Sequence, residues 1–365
     1  MRNVPPDSNQ APPFEGRNLY LTDPALQRAV ACEGGGWAQE RLTAWGETLG
    51  RAETFALAAR ANRLPPQLNT HDRFGNRIDE VAYDPSWHEL MSLATREGEH
   101  CAPWVDPRGR AQVARAAAYL LHAEVENGTQ CPLTMTYAAV PVLKRYAASM
   151  PAITETWLPR MLSNDYDPRT LPLADKRAAL VGMGMTERQG GSDVRANATA
   201  AERCGDGSYR LAGHKWFFSA PMCDGHLVLA QAQGGLSCFL LPRLLPDGTK
   251  NAVRIQRLKD KLGNRSNASS EVEFDGATAW LLGEEGRGVV QGLRHRPSPR
   301  VWTEALRAAT DANTCSPISC SKPRRRPRLR CVSRADSKHM LHPPMARSRA
   351  SLRPRSNTGF ASAQP

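Results

Sequence analysis

The spacing of apolar residues in this 365-residue chain changes period near Ala179, and that change limits the fold more than any other feature. Ahead of it, apolar positions recur at the interval that lines one face of a helix. Trp87, Leu90, Met91 and Ala94 form one such stripe, Val113, Ala117, Leu120, Leu121 and Val125 a second, and Ala138, Val142 and Tyr146 a third. Thr22-Asp23-Pro24 and Asp84-Pro85 each set a capping side chain before a proline suited to a first helical turn. Gly128 is placed to end the second stripe, and Cys131-Pro132 opens the third. These signals predict a flexible, proline-rich lead-in over 1–17 and an all-helical domain over 18–178.

Past Ala179 the apolar runs shorten to strand length: Tyr209-Arg210-Leu211, Leu227 to Ala230, Cys238 to Leu241, Ala252 to Ile255 and Glu271 to Phe274. Gly205-Asp206-Gly207, Gly234-Gly235, Pro246-Asp247-Gly248 and Asp275-Gly276 separate them as turns. Short strands at such intervals predict a small antiparallel sandwich or barrel over 179–290. No helix of useful length lies between them, which excludes a doubly wound parallel sheet. The fold class is α+β.

A third composition begins beyond Gly292. Residues 293–365 hold 16 Lys and Arg against 3 Asp and Glu, a net of +13, with nine prolines and ten serines. The remaining 32 basic and 33 acidic residues leave 1–292 at −1, so the overall +12 belongs to the tail. Such a segment cannot offset its ordering entropy, and 291–365 is expected to be a disordered basic tail. Cys315, Cys320, Cys331, His339 and His342 fit no compact zinc spacing, so no metal site is expected. The six other cysteines include no CxxC pair and read as reduced thiols. No apolar run approaches the ~18 residues of a membrane span, and the first residues have no apolar signal core. These features point to a cytoplasmic protein that does not enter the membrane.

Three runs carry candidate chemistry. Gly182-Met183-Gly184-Met185-Thr186-Glu187-Arg188-Gln189-Gly190-Gly191-Ser192-Asp193 is not a dinucleotide fingerprint, because Glu187 stands where a third glycine is needed. It reads instead as a loop leaving a strand, with the Thr186 and Ser192 hydroxyls and the Gly190-Gly191 backbone free to accept an anion, or as a surface turn. Lys215-Trp216-Phe217-Phe218-Ser219 offers a wall for a flat conjugated group, or simply barrel core. Lys259 to Ser266 is a polar loop before a strand.

In this order and spacing the runs resemble the middle domain of the acyl-CoA dehydrogenase family. The family's pattern is a Met-Thr-Glu…Gly-Ser-Asp loop, a Lys-x-Trp strand, here Lys215-Trp216, and a Lys-Leu-Gly-x-Arg loop, closed by Leu282-Gly283-Glu284-Glu285-Gly286-Arg287-Gly288. The wording Glu187 to Val194, Trp216 to Ser219, Asn264 to Ser269 and Cys131 to Thr136 looks most like the alkylation-response, or AidB-type, branch. The resemblance covers roughly 18–290.

That likeness implies an N-terminal helical domain, a middle antiparallel β-barrel and a C-terminal helical bundle, with FAD between barrel and bundle. It implies that Met185 and Thr186 meet the flavin edge, and that Ser192 with Gly190 and Gly191 meets the pyrophosphate or the acyl-CoA. Trp216, Phe217, Phe218 and Ser219 then line the ring system, with Phe218 standing where many dehydrogenases place a hydroxyl. The family abstracts an α-proton with a C-terminal glutamate, which this branch carries in a Trp-Glu-Gly-Ser-Gly-Asn run. No such run occurs here, and the likeness stops near Val289 to Gly292. The expectation is therefore a chain without the C-terminal helical domain, its tail the product of a frameshift or truncation, with no catalytic residue to name. The expected function is an FAD-binding, acyl-CoA-dehydrogenase-like flavoprotein, impaired in catalysis. The alternative is a DNA-associated alkylation-response flavoprotein, with the arginine run from Lys322 to Arg330 as its phosphate contact. Acyl-CoA-like molecules and DNA are the candidate partners, and the family forms oligomers.

Overall fold

Two caps anticipated in the sequence start their helices as expected. Asp23 accepts from the N–H groups of Ala25 and Leu26 at 2.9 and 2.8 Å and opens α1 (Pro24–Cys32). Asp84 does the same for Ser86 at 3.0 Å and opens α4 (Pro85–Glu97), which Gly98 ends in the left-handed conformation. The computed structural model describes residues 11–288, all within one compact unit. The tail expected over 291–365, with its cysteines and arginine run, lies outside the described residues.

The helical layer continues with α2 (Gln39–Leu49), α3 (Ala52–Arg63), α5 (Ala102–Val105), α6 (Ala111–Ala123), α7 (Gln130–Tyr146) and α8 (Pro151–Met161). It is not all-helical. A hairpin of β1 (Gln67–His71) and β2 (Arg77–Ala82) sits between α3 and α4. Its turn is organised by Asp72, which accepts from the N–H groups of Phe74 and Asn76, and by Gly75 at φ 84°. These strands are too polar to announce themselves by apolar alternation. The lead-in is also partly docked, since Gly16 N–H donates to Gly50 O at 2.8 Å and the Phe14 ring meets Phe55 edge-on. Among the described residues no helix is long and apolar enough to cross a membrane.

The second half builds β3 (Val181–Gly184), β4 (Ala200–Arg203), β5 (Tyr209–Ser219), β6 (Gly225–Ala232), β7 (Gly235–Pro242), β8 (Val253–Leu258) and β9 (Ser269–Leu281). Pairings β3–β6, β6–β7, β7–β9, β9–β5 and β5–β3 close a five-strand barrel, and β4 and β8 extend it. The barrel is not wholly antiparallel: β3 runs parallel to β6, as β4 does over its short contact. A strand that closes a barrel need not follow its neighbour in sequence, so hairpin turns alone do not predict that pairing.

β6 is buried on both faces, which explains its unbroken apolar run. Leu227 and Leu229 pack with Leu240 against Ala139, Val140 and Leu143 of α7, which joins barrel to helices. Val228 and Ala230 face inward to Phe218, Phe239 and Phe274. Gly182 lies beside His226 on the paired strand. A Cβ there would sit 2.4 Å from the His226 ring and 3.1 Å from Ser219 O. His226 is itself stacked on Phe218 at 3.9 Å and has nowhere to move. Gly182→Ala is expected to destabilise the chain by about 1–3 kcal/mol, read as a lower urea midpoint at unchanged m-value.

Candidate functional site

The loop leaving β3 is held in place by a fully buried ion pair. Lys215 of β5 reaches Glu187 Oε1 at 2.7 Å, and both side chains are wholly excluded from solvent. Glu187 also accepts from the Thr199 hydroxyl at 2.6 Å, the Thr199 N–H at 3.1 Å and the Ala198 N–H at 2.6 Å. Burial raises the Glu187 carboxyl, but the Lys215, Thr199 and Ala198 donors outweigh it, and the group titrates below its ordinary value. Asn197 adds a bond from its amide to Met185 O at 2.8 Å. The loop therefore cannot swing free of the strand.

This anchoring brings together the runs singled out in the sequence. Thr186 O accepts from Trp216 N–H at 2.8 Å, so Met185 and Thr186 lie beside Trp216 to Ser219. Gly190 adopts φ 130°, a conformation that favours glycine, and Gly191 passes so close to Thr186 that a Cβ would lie 2.7 Å from its hydroxyl. Gly191, Ser192 and Asp193 are exposed, and their N–H groups donate no hydrogen bond among the described residues. Consecutive unspent N–H groups on an exposed glycine turn form a concavity suited to an anion.

The aromatic run needs a correction. Between Lys215 and Phe218 the pairing of β5 with β9 shifts by one residue, so Trp216 and Phe217 together oppose Glu271. This β-bulge breaks simple alternation. Lys215 and Phe218 both turn inward, and Trp216, Phe217 and Ser219 turn outward. The Phe218 ring is 2% exposed, within the barrel core against His226 and Phe274, so it is not available to line a ligand. Phe217, part of the same run, carries the outward ring at 48% exposure. Trp216 is half-buried under cations: Lys259 at 3.5 Å, Arg188 at 4.8 Å and Arg257 at 5.8 Å from its ring centre. Lys259 and Arg257 are in turn fixed by Glu271 at 2.5 and 2.8 Å.

The Ser219 hydroxyl, on the outside of the barrel, lies against the Cys131 thiol at the start of α7. Burial pushes that thiol up, against weaker pulls from Lys261, Ser219 and Asn267. Behind Ser219, Ala268 O accepts from Ala220 N–H at 2.8 Å, and the Ser270 hydroxyl donates to Phe218 O at 2.9 Å. Cys131 to Thr136, Asn264 to Ser269 and the two barrel motifs thus meet at one edge of the barrel. Lys215 and Glu187 were the residues missed. An ammonium inside an apolar strand and a carboxylate inside a glycine-rich loop were the signals for the two.

A flavin nucleotide needs an apolar plane for its rings, hydroxyl or N–H donors at the ring edge and an anion-accepting turn for its diphosphate. Phe217, the Thr186 and Ser219 hydroxyls and the Gly191 to Asp193 N–H groups supply these three in one place, and the residues fit the group. Lys215→Ala is expected to cost about 3–5 kcal/mol, because it leaves a buried carboxylate unpaired. Lys215→Met with Glu187→Gln should recover much of that loss. Urea unfolding of the single and double variants is the check, and additive losses would refute the pairing.

Comparison with known proteins matches both halves of the chain. Residues 9–168 match the Adaptive response protein AidB N-terminal domain, and 182–277 match the acyl-CoA dehydrogenase middle domain. The chain is 54% identical over 282 residues to putative acyl-CoA dehydrogenase AidB of Escherichia coli, which covers 77% of this chain and 52% of that protein. It is 32% identical over 264 residues to acyl-CoA dehydrogenase family member 11 of Caenorhabditis elegans, covering 68% of this chain and 40% of that one. The solved structure of Caenorhabditis elegans ACDH-11 in complex with C11-CoA superposes with a TM-score of 0.72 at 26% identity, over 86% of this chain and 52% of that one. The chain thus spans about half the length of the curated relatives it matches. With both domains matched in order and a relative 54% identical across them, the chain belongs to the acyl-CoA dehydrogenase family, in its AidB-type branch.

Proposed function

We propose that residues 179–288 form the barrel-side half of an FAD site that faces an acyl-CoA-like ligand, and that 18–178 is the helical layer backing it. The observation that carries this reading is the convergence of Phe217, the Thr186 and Ser219 hydroxyls and the unspent N–H groups of Gly191 to Asp193 at one barrel edge. When bound, FAD would supply the hydride-accepting chemistry of an α,β-dehydrogenation. The chain's own part is to bind and orient. Phe217 offers the ring contact, Thr186 and Ser219 the polar contacts at the ring edge, and Ser192 with the glycine turn the diphosphate cradle. Met185 closes the edge next to Thr186. The acyl-CoA seen with the worm relative supports the same ligand class here.

Among the described residues no α-proton base is assigned. The buried carboxylates nearest the cleft are committed elsewhere, Glu187 to Lys215 and Thr199, and Glu126 to Thr129, Gly128 and Ser266. A carboxylate so engaged cannot reach a substrate proton. The reading is therefore flavin binding with impaired dehydrogenation.

The absorbance spectrum of the purified chain titrated with FAD tests the reading. Saturable perturbation of the flavin bands is expected, with Phe217→Ala and Ser219→Ala each weakening binding about tenfold. Phe218→Tyr, which places a hydroxyl in the core, should lower stability and leave affinity nearly unchanged. A chain that perturbs no flavin band would sink the proposal. Electron-acceptor reduction driven by acyl-CoA thioesters should stay at background, and rapid turnover would overturn the impairment.

A further inference from the structure

A buried run of hydrogen bonds leads from the helical layer to the loop behind Ser219. Both Glu99 oxygens, in the turn after α4, lie 3.0 Å from Nδ1 of His122. Nε2 of His122 lies 3.2 Å from the Thr129 hydroxyl. Thr129 donates that hydroxyl to Glu126 Oε2 at 2.6 Å and its N–H to the same oxygen at 2.8 Å. Glu126 Oε1 accepts from Gly128 N–H at 2.6 Å and from the Ser266 hydroxyl at 2.5 Å. Glu99, His122, Thr129, Glu126 and Ser266 are all buried.

The directions of these bonds determine the state of the imidazole. Nδ1 faces a carboxylate, which only accepts, so it must carry a proton. Nε2 faces a hydroxyl whose single proton is already given to Glu126, so it must donate as well. With Thr129 giving its hydroxyl proton to Glu126, both ring nitrogens face acceptors, an arrangement that suits an imidazolium. The other groups around it are accounted for. Arg115 of α6 donates from Nε to Glu99 O at 2.7 Å, and α2 contributes the uncharged edge of Trp45 at 6.1 Å. Two cations thus balance two buried carboxylates. Burial lowers the His122 value, but Glu99 and then Glu126 more than reverse this, and it ends above the ordinary imidazole.

At the other end the run holds the 264–269 loop. Gly128 lets Ser266 approach so closely that a Cβ would lie 1.9 Å from its hydroxyl. Ala268 then bonds Ala220, and Lys261 Nζ donates to Asn267 O at 2.6 Å, next to Ser219 and Cys131. We propose that Glu126 is a positioning residue of the cleft and His122 its pH switch. As an imidazolium His122 lets Glu126 lock the 264–269 loop onto the helical layer, and loss of its proton frees the loop. The predicted effect on flavin rests on the function proposed above, whereas the lock itself does not.

Loss of that proton leaves one donor for two acceptors and two buried carboxylates against one cation. A raised imidazole stabilises fully below its unfolded value of about 6.5 and loses that contribution as pH rises through the folded value. The test is amide exchange of residues 264–269 in the full chain from about pH 6 to about pH 9.5, corrected for base catalysis, with FAD retention followed in parallel. Protection of the loop should fall about tenfold across the range, with flavin retention falling over the same interval. His122→Gln should abolish the step. Ser266→Ala, which leaves the imidazole untouched, should expose the loop at every pH and keeps the test decisive if the first variant does not fold. Constant protection in the unmodified chain, or an equal step in either variant, would overturn the lock. A chain that binds no flavin at any pH would defeat the functional reading alone, since loop exchange still reports on the lock.

Discussion

The ion pair between Lys215 and Glu187 is the contact around which the cleft is organised. Removing two charges from water is expensive, and the pair persists because Thr199 and Ala198 satisfy the remaining carboxylate positions. The return is geometric. A glycine-rich loop with three unspent N–H groups would otherwise sample many conformations, and an anion would have to order it on binding. Tying its first residues to β5 from inside the barrel removes that cost beforehand.

The same strand determines which aromatic ring is offered to a ligand. One extra residue opposite Glu271 turns Phe218 into the core and Phe217 out. Without the bulge, Trp216 and Phe218 would share a face and Ser219 would point away from it. Phe218 stacked on His226 then plugs the end of the barrel, and Gly182 and Gly184 exist to admit those two rings. Core packing and ligand surface are thus two faces of a single five-residue run.

The helical layer contributes more than a backing wall. The α7 helix buries its apolar face against β6 and β7, and its N-terminal residues bring Cys131 to Ser219. The turn before it supplies Glu126 and Thr129, whose bonds reach Ser266 across 140 residues of sequence. Contacts of that separation join the two halves into one unit and place the 264–269 loop.

Local spacing was sufficient for much of this. Asp-Pro pairs, helical stripes and turn dipeptides located α1, α4, α6, α7, four of the five barrel strands and β8, because caps, one-face burial and turns depend on neighbours in sequence. The exposed turn from Gly190 to Asp193 was legible for the same reason: consecutive glycines declare a backbone that leaves the strand. Four features were not legible. The β1–β2 hairpin is too polar, β3 and β4 too short, the parallel closure of the barrel has no local signal, and the bulge that exchanges Phe217 for Phe218 depends on register with β9. By itself the sequence determined α1, α4, α6 and α7, five strands of the second half and an open glycine turn after β3. Only the tertiary structure decided which side chains face out of the barrel and that His122 sits between Glu99 and Thr129, because face and register are set by partners far away in the chain.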